Sequence, residues 1–278
     1  MSEALIAATG IEVVYHARRR SQGNAGGHKV LHGIDIHIDR HETVGIVGES
    51  GSGKSTLGRA LLRLTEITKG SIAFDGKDIT HLSERQIRPM RRRMQMIFQD
   101  PMSSLNPRRT IRQILTEPLL FHLVATNSVD ADKRVRRFFD RVGLPSSCLD
   151  RSPHELSGGQ RQRVGIARAA LLEPDFVLAD EIVSGLDVST QAQTLNLLKA
   201  LTREMGLAMA FISHDLSVIR SICDRVYVMR RGLIVEHGRC DDIFAQPKDP
   251  YTKLLIDAIP LPQIDRGWLN RGRTEEAS

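Results

Sequence analysis

Residues 48–55 read Gly-Glu-Ser-Gly-Ser-Gly-Lys-Ser, and this stretch decides the fold that the sequence predicts. It matches the pattern G-x-x-x-x-G-K-[ST]. It follows a predicted apolar strand, Thr43–Val47, and precedes Leu57, Leu61 and Leu64, which share one helical face. Glycines let backbone N–H groups curl around phosphate oxygens, and the start of a helix adds positive potential. The sequence therefore predicts a nucleotide-binding phosphate loop between a strand and a helix.

The loop also carries the side chains that a nucleotide needs. Lys54 provides a point charge for phosphate, and Ser55 provides a hydroxyl for Mg²⁺. We expect nucleotide contacts along the whole loop and at the residue after it: Gly48, Glu49, Ser50, Gly51, Ser52, Gly53, Lys54, Ser55 and Thr56.

Charged side chains follow two further core strands. Residues 176–181, Phe-Val-Leu-Ala-Asp-Glu, place Asp180 and Glu181 at the carboxyl end of a strand, where open α/β sheets bind ligands. Asp180 suits a metal, directly or through water, and Glu181 suits a base that polarises water. His214 follows the strand predicted at 207–213. Acidic pairs and single histidines are often structural, but behind a phosphate loop they favour a hydrolytic site.

Gln99 is a weaker candidate for the same site. It follows an apolar stretch in Met-Ile-Phe-Gln-Asp-Pro, residues 96–101. An uncharged amide can coordinate Mg²⁺ or hold a water without adding charge, so we include it as a candidate metal and catalytic residue.

A second glycine-rich turn lies at residues 156–160, Leu-Ser-Gly-Gly-Gln. Ser157 followed three residues later by Gln160 fits a capping box, so one interpretation is a well-started helix. Capping does not require two glycines, whereas bare backbone lets a ligand come close. Because the turn opens a helix, that ligand is expected to be an anion.

Composition limits the class of protein. The net charge is +6, with basic runs at 18–20, 88–93 and 133–137 that suit solvated faces, an anionic nucleotide or a membrane surface. Aromatic residues make up only 4%, which argues against a stacking platform for single-stranded nucleic acid. Three scattered cysteines predict free thiols in a reducing cytosol. We see no signal peptide and no apolar run of about 18 residues, so we expect any membrane link to come through a partner.

Apolar patterning predicts strands that alternate with helices, interrupted by a helical stretch from about 103 to 168. This arrangement indicates an α/β core with a helical subdomain. The predicted strands are 11–15, 30–38, 43–47, 71–74, 77–79, 176–179, 207–213, 225–229 and 233–236. The clearest predicted helices are 111–123, 131–142 and one from 249 to a stop near Pro260, before a polar tail.

Six motifs in order make the chain resemble an ATP-binding cassette (ABC) ATPase over nearly its whole length. They are GESGSGKS (Walker A), MIFQD (Q-loop), LSGGQ (signature), FVLADE (Walker B), SGLD (D-loop) and ISHD (switch histidine). The resemblance implies a P-loop NTPase (RecA-like) core, an antiparallel β subdomain and an inserted helical subdomain at about 100–168. We expect this ATPase domain to cover residues 1–240 and a C-terminal extension and tail to cover 241–278.

The resemblance also assigns roles to residues. It implies ATP and Mg²⁺, with Ser55, Gln99 and Asp180 near the metal, Glu181 polarising water and His214 stabilising the γ-phosphate. Tyr15 sits where the family stacks an aromatic ring on adenine, although strand packing is the alternative. Two ATPase subunits are expected head to tail, so that one signature completes the partner's site. Signature and D-loop contacts are then expected at Ser157, Gly158, Gly159, Gln160 and Asp187.

Four other stretches resemble the ATPase subunits of dipeptide, oligopeptide and nickel importers: 103–119, 153–164, 187–193 and 246–260. This implies a peripheral ATPase on the cytoplasmic face of the plasma membrane, paired with itself or a sister ATPase. It also implies two permease subunits and, indirectly, an extracytoplasmic solute-binding protein. No nucleic acid partner is expected.

Two residues depart from that branch. The branch usually has proline where this chain has Ile182, and alanine where it has Gly185. We expect both changes to loosen the D-loop backbone and alter coupling across the dimer.

Non-transport ABC ATPases of DNA repair or the ribosome are the alternative. Those of DNA repair separate the Walker A and signature motifs by a long coiled coil or insert zinc fingers, and ribosome-associated relatives usually carry two cassettes. Here about one hundred residues separate the two motifs, without heptads or cysteine pairs. GTP is disfavoured because no NKxD motif is present.

Overall fold

A computed structural model describes residues 4–15 and 27–259. The strands are β1 Ile6–Tyr15, β2 His28–Ile38, β3 Thr43–Val47, β4 Lys69–Phe74, β5 Lys77–Asp78, β6 Met94–Ile97, β7 Phe176–Asp180, β8 Ala208–Ile212, β9 Arg225–Arg230 and β10 Leu233–Arg239. The helices are α1 Lys54–Leu61, α2 Glu84–Ile87, α3 Pro101–Ser104, α4 Ile111–Phe121, α5 Ser128–Arg141, α6 Gly158–Ala170, α7 Val188–Met205, α8 Leu216–Ile222, α9 Cys240–Ala245 and α10 Pro250–Asp257.

The central sheet has six strands in the order β10-β9-β3-β8-β7-β6. Strands β9, β3, β8, β7 and β6 run parallel, and β10 is antiparallel to β9. Every residue of β3, β7 and β8 is buried, which explains their continuous apolar runs, because helices or a second sheet cover both faces of a parallel sheet. The carboxyl ends of β3, β6, β7 and β8 therefore meet at one edge.

A second, antiparallel sheet has the order β2-β1-β4-β5. Strand β1 pairs with β2 on one side and β4 on the other, and its inward residues alternate with exposed ones. The turn Asp75-Gly76 joins β4 to β5, as a hairpin between Phe74 and Lys77.

Two apolar cores lie on opposite faces of the central sheet. Alternate residues of β7 separate them, since Val177 and Ala179 belong to one core and Phe176 and Leu178 to the other. The first core contains the helices between β6 and β7 and the helices α7 to α10. The second contains α1 and the inner faces of β1, β2 and β4.

The helical insertion occupies the chain between β6 and β7. Helix α4 begins at a capping box of Thr110 and Gln113, and α5 begins at Asn127, whose side chain accepts from the Asp130 N–H. Four buried residues of α5 (Ala131, Val135, Phe138 and Phe139) pack it against α4 and the core. These local signals explain why the sequence forms separate helices here rather than one.

The predicted fold class is confirmed: the chain has the P-loop NTPase core, the antiparallel β sheet and the helical insertion. Three details were wrong. Leu64 lies beyond the end of α1 and is 50% exposed, so of the three leucines only Leu57 and Leu61 belong to the buried face of the helix. The stretch Met94–Ile97 is a core strand that the sequence analysis left unassigned, and β1 begins five residues earlier than predicted. The predicted loop after Tyr15, the stop at Pro260 and the tail lie outside the described residues.

The predicted boundary between residues 240 and 241 falls in the first turn of α9. The three cysteines are free and buried within the described chain.

The basic run at 88–93 is used within the chain. Arg91 donates to the carbonyls of Leu62 and Arg63, and Arg93 pairs with Asp75 and Asp175. These contacts favour a structural role over an external anion; the run at 18–20 lies outside the described residues. Among the helices of the described chain, none combines the length and the apolar character needed to cross a bilayer.

Candidate functional site

Four neighbouring strands bring the predicted site together at one sheet edge. The phosphate loop follows β3, Gln99 follows β6, Glu181 follows β7, and His214 follows β8 by two residues. Since β6, β7, β8 and β3 are neighbours in the sheet, these residues converge at the carboxyl ends, where such sheets bind ligands.

The phosphate loop needs glycine for two different reasons. Gly53, the N-cap of α1, has a φ of +103°, a conformation that side chains rarely adopt. At Gly48 a Cβ atom would stand 2.1 Å from the carbonyl oxygen of Met229 on β9, so this glycine is required by close packing. The loop is thereby fixed against the neighbouring strand.

Lys54 lies inside its own loop. It is only 4% exposed, and its Nζ donates to the carbonyl oxygens of Gly48 (2.7 Å) and Glu49 (2.9 Å). Burial lowers the pKa of Lys54, while Glu181, Asp180 and Glu49 act against that shift. In the same loop, the Ser52 hydroxyl is buried without a hydrogen-bond partner among the described residues. An orphaned donor and a buried ammonium in one loop fit an anionic phosphate group.

Ser55 and Asp180 form the second part of the edge. The Ser55 hydroxyl donates to Asp180 Oδ1 at 2.9 Å. Burial raises the pKa of Asp180, and the bond from Ser55 opposes that shift. Within the described chain no group of three or more His, Cys, Asp or Glu side chains could hold a metal unaided. The oxygen donors present fit Mg²⁺, which usually takes one or two protein ligands and completes its shell with phosphate and water.

Glu181 is the centre of a three-residue cluster. Its carboxylate accepts from Gln99 Nε2 at 3.2 Å, and its Oε1 lies 3.8 Å from His214 Nδ1. Its backbone has a φ of +49°, and its N–H donates to the Ile212 carbonyl at 3.0 Å. His214 is 60% exposed, so its ring is open to solvent rather than packed in the core. An oriented carboxylate between an amide and an imidazole suits the activation of water.

The signature turn lies at the start of α6. Ser157 Oγ accepts from the Gln160 N–H, and Gln160 Oε1 accepts from the Ser157 N–H at 3.0 Å, so the predicted capping box is present. Among the described residues outside the first turns of α6, a Cβ on Gly158 would meet nothing within 4 Å, and one on Gly159 would meet only Thr190 Cγ2 at 3.1 Å. The fold of this chain therefore does not require a bare backbone at Gly158.

The D-loop lies beside the signature turn. Asp187 caps α7, accepting from the N–H (3.0 Å) and the hydroxyl (2.6 Å) of Thr190, and these bonds lower its pKa. A cleft of about 550 Å³ is lined by residues 157–160, by 185–187 and by Thr190. These parts form one open surface.

Both departures in the D-loop segment have local structural correlates. Ile182 is 1% exposed and packs in the first core. Gly185 has a φ of +76°, which suits glycine and would strain alanine. Whether the two residues alter coupling stays a prediction.

The predicted residues thus separate into two groups. Ser55, Asp180, Gln99, Glu181 and His214 surround the phosphate loop. Residues 157–160 and Asp187 form the second group, and no hydrogen bond or ion pair among the described residues joins it to the first. Tyr15 ends β1 with its side chain 44% exposed, which disfavours a packing role inside the sheet.

Three residues near these groups were missed by sequence reasoning. Thr190 holds Asp187, and Arg163 links the Val142 carbonyl (2.8 Å) to the Gln193 side chain (2.9 Å) beside the signature. Tyr251 belongs to none of the six motifs, but its hydroxyl contacts the phosphate loop. The Asp-Pro-Tyr-Thr start of α10 was its signal in the sequence.

Comparisons with known proteins agree with this geometry. The profile of the family described as ABC transporter matches residues 31–184, and that of the oligopeptide/dipeptide transporter C-terminal region matches residues 235–278. A provisionally named peptide import ATP-binding protein of Brucella ovis is 53% identical over 237 residues, which cover 85% of this chain and 74% of that protein. The oligopeptide transport ATP-binding protein OppF of Bacillus subtilis is 45% identical over 253 residues, 91% of this chain and 83% of its own.

Solved structures show the same architecture. The ATP-binding cassette MJ0796, in a dimeric post-hydrolysis state bound to ADP and Pi, matches with a TM-score of 0.76 and 27% identity, over 84% of this chain and 98% of that one. Fold, motif geometry and relatives lead to one assignment: the chain belongs to the ABC transporter family, as an ATP-binding and ATP-hydrolysing protein.

Proposed function

We propose that this protein is the ATPase subunit of an importer that carries a small solute of the dipeptide, oligopeptide or nickel class. The observation that carries the proposal is Gly158, a position in the signature turn where a Cβ atom would meet no other element of the described chain within 4 Å. A ligand from outside the chain accounts for this bareness, and a helix start favours an anion. The partner subunit's ATP fits both requirements.

In the chain's own site, the phosphate loop binds the nucleotide. Backbone N–H groups of the loop face the phosphates, apart from those of Glu49 and Ser52, which are bonded within the chain. Lys54 exchanges its two loop carbonyls for phosphate oxygens, and Thr56 follows in the first turn of α1. Ser55, Asp180 and Gln99 would hold Mg²⁺, which supplies charge neutralisation between phosphate groups when bound. Tyr15 stacks on adenine.

Glu181 orients and polarises the attacking water, and His214 stabilises the charge on the γ-phosphate. The positions of Gln99 and His214 beside the two carboxylate oxygens of Glu181 support this division of roles. Catalysis by these residues is positioning and charge stabilisation. Gln99 also lies where the helical insertion begins, so its movement can tilt that insertion against a permease.

The second group acts on the partner. Ser157, Gly158, Gly159 and Gln160 close over the γ-phosphate held by the other ATPase, and Asp187 reaches across the same interface. The group has a helix start that can bind phosphate, but the residues proposed to hold the metal and to act as base all lie in the first group. This division supports a role in completing another site. The partner is a second copy or a sister ATPase.

Peptide import is favoured by the relatives, which are named for it at 45–53% identity, and by the match of residues 235–278 to the oligopeptide/dipeptide transporter C-terminal region. On this proposal two permease subunits anchor the ATPase pair at the cytoplasmic face of the plasma membrane. An extracytoplasmic binding protein delivers the solute and does not touch this chain.

The test is solute-stimulated ATPase activity of the complex reconstituted in proteoliposomes with its permeases and binding protein. We expect di- or oligopeptides to raise the rate of phosphate release several-fold, while amino acids and sugars do not. Stimulation by Ni²⁺ alone would move the solute class to nickel. A rate of ATP hydrolysis that no solute raises, but that DNA or ribosomes raise, would contradict the proposal.

A further inference from the structure

The C-terminal region contacts the phosphate loop through one short segment, residues 248–252, which we name the C-terminal strap. Glu236 on β10 accepts from the N–H groups of Lys248 (2.8 Å) and Asp249 (3.1 Å). Asp249 in turn caps α10, accepting from the Tyr251 N–H at 2.8 Å. The strap is thus fixed to the central sheet at its start and continues into a helix.

Tyr251 points from the strap into the protein. It is 4% exposed, and its hydroxyl oxygen accepts from the backbone N–H of Glu49 at 2.9 Å. The Arg230 guanidinium lies over the ring, 4.8 Å from its centroid. Burial raises the pKa of Tyr251, so the oxygen is a neutral hydroxyl. The strap therefore reaches the first turn of the phosphate loop.

The far side of the same loop is held from another element. The Ser52 carbonyl accepts from the N–H of Gly232, at 2.9 Å, in the turn between β9 and β10. Tyr251 and Gly232 thus hold the loop at Glu49 and at Ser52, on either side of the residues that face phosphate. The Gly232 contact belongs to the central sheet, whereas the Tyr251 contact depends on the C-terminal region.

We propose that Tyr251 is a positioning residue for nucleotide binding: the C-terminal strap holds the phosphate loop in the shape that accepts phosphate. No residue of the strap needs to touch the nucleotide. The C-terminal region then sets the affinity of the cassette, and its displacement weakens binding. This inference depends on nucleotide binding by the cassette and not on the solute.

The size of the effect follows from the bond. A loop that reaches its binding shape only part of the time binds with a dissociation constant raised by the inverse of that fraction. Since the net contribution of one hydrogen bond limits the change, we expect a roughly three- to tenfold rise in Kd when the hydroxyl is removed.

The first experiment measures the Kd of ADP with Mg²⁺ by calorimetry for the full chain and for Tyr251→Phe. The variant keeps the ring and its contact with Arg230 and loses only the hydroxyl. The matched control is Tyr227→Phe, since the Tyr227 hydroxyl is also buried but bonds to Arg225 and the His37 backbone. A raised Kd in Tyr251→Phe alone supports the proposal; an unchanged or lowered Kd overturns it.

The dependence of turnover on ATP concentration gives a second readout, because a positioning role raises KM and leaves kcat near its original value. A loss of kcat at unchanged KM would overturn the proposal. If the unaltered chain binds no ADP, the proposed function fails, and hydrogen exchange then decides the role of the strap.

That exchange experiment uses the nucleotide-free protein and follows the backbone amides of residues 48–53. We expect faster exchange in Tyr251→Phe and in Glu236→Ala, which frees the strap at its other attachment, and unaltered exchange in Tyr227→Phe. If both variants fold and exchange at the original rate, the strap does not order the loop.

Discussion

Two helices of this protein begin at glycine-containing turns that we propose bind phosphate, and they begin in opposite ways. Helix α1 starts at Gly53, which is left-handed and has no side-chain cap, beside a buried lysine and two carboxylates. Helix α6 starts at Ser157, which is exposed and whose side chain caps the helix. The next residue is Gly158, where a Cβ atom would meet no other element of the described chain within 4 Å. The start of α1 is held by contacts with the elements around it, whereas the start of α6 is held by hydrogen bonds within its own first turn.

The difference indicates where each ligand is supplied. Helix α1 has no side-chain cap and leaves its first N–H groups to phosphate, whereas the cap of α6 satisfies the Gln160 N–H and leaves those of Gly158 and Gly159 without a side-chain cap. The glycines of α1 are needed by the fold around them. The described residues around Gly158 do not require a glycine there, which agrees with the proposed contact outside the chain.

The largest effect is expected at Glu181, on the α1 side of the comparison. Glu181→Gln keeps the shape but removes the base, so turnover should fall at least about 100-fold while ATP binding remains and the ATP-bound dimer persists. Phosphate release and size-exclusion chromatography in ATP measure both. Glu84→Gln, an exposed carboxylate paired with Arg91, is the control. Full activity of Glu181→Gln would contradict the assignment.

The next effect tests whether the α6 start serves the partner. In dimers of two copies, Lys54→Ala and Ser157→Arg should each be inactive, because one loses the loop and the other the signature. Their mixture should recover up to about a quarter of the original rate, since random pairing makes half of the dimers mixed and each keeps one complete site. A mixture that stays inactive, with mixed dimers demonstrated by crosslinking, would place the signature on its own chain's nucleotide.

A smaller effect separates folding from function at the two glycines. Gly53→Ala should destabilise the chain by about 1–2 kcal/mol, because alanine is strained at a φ of +103°. Gly158→Ala should stabilise it by up to about 1 kcal/mol and yet lower turnover, because its methyl group meets only the incoming nucleotide. Thermal melts and phosphate release measure the two quantities.

Gly165→Ala, also on α6 with nothing within 4 Å, is the matched control for Gly158→Ala. It should stabilise the chain without changing turnover. A similar loss of turnover in both variants would show that the effect is not specific to Gly158.

The smallest effect concerns the cap itself. Ser157→Ala removes the acceptor of the Gln160 N–H and should lower the free energy of unfolding by about 0.5–1 kcal/mol. Thr110→Ala, which removes the acceptor of the Gln113 N–H in the capping box of α4, should cost a similar amount without affecting turnover. If Ser157→Ala leaves the free energy of unfolding unaltered, the capping hydrogen bond does not stabilise the start of α6.

Sequence predicted the parts of the site that are contiguous in the chain. The phosphate loop and the pair Asp180 and Glu181 carry their meaning in neighbouring residues and in the strand before them. Contacts across the fold had no such signal: the bond from Glu49 to the Tyr251 hydroxyl joins residues about two hundred positions apart. Leu64 shows the converse error, since helical spacing continued after the helix had ended.

The two cores described above have a consequence for how the protein unfolds. The helical insertion packs in one core and the antiparallel sheet in the other, so the two parts share no apolar core. Within the described residues, the strands β3, β6, β7, β8 and β9 of the central sheet contribute buried side chains to both. Partial opening can therefore release one flank as a cooperative unit while the shared strands stay protected, and those strands should be the last to exchange their amides. Heat or denaturant should then remove the helical face or the β face as a whole before the strands between them.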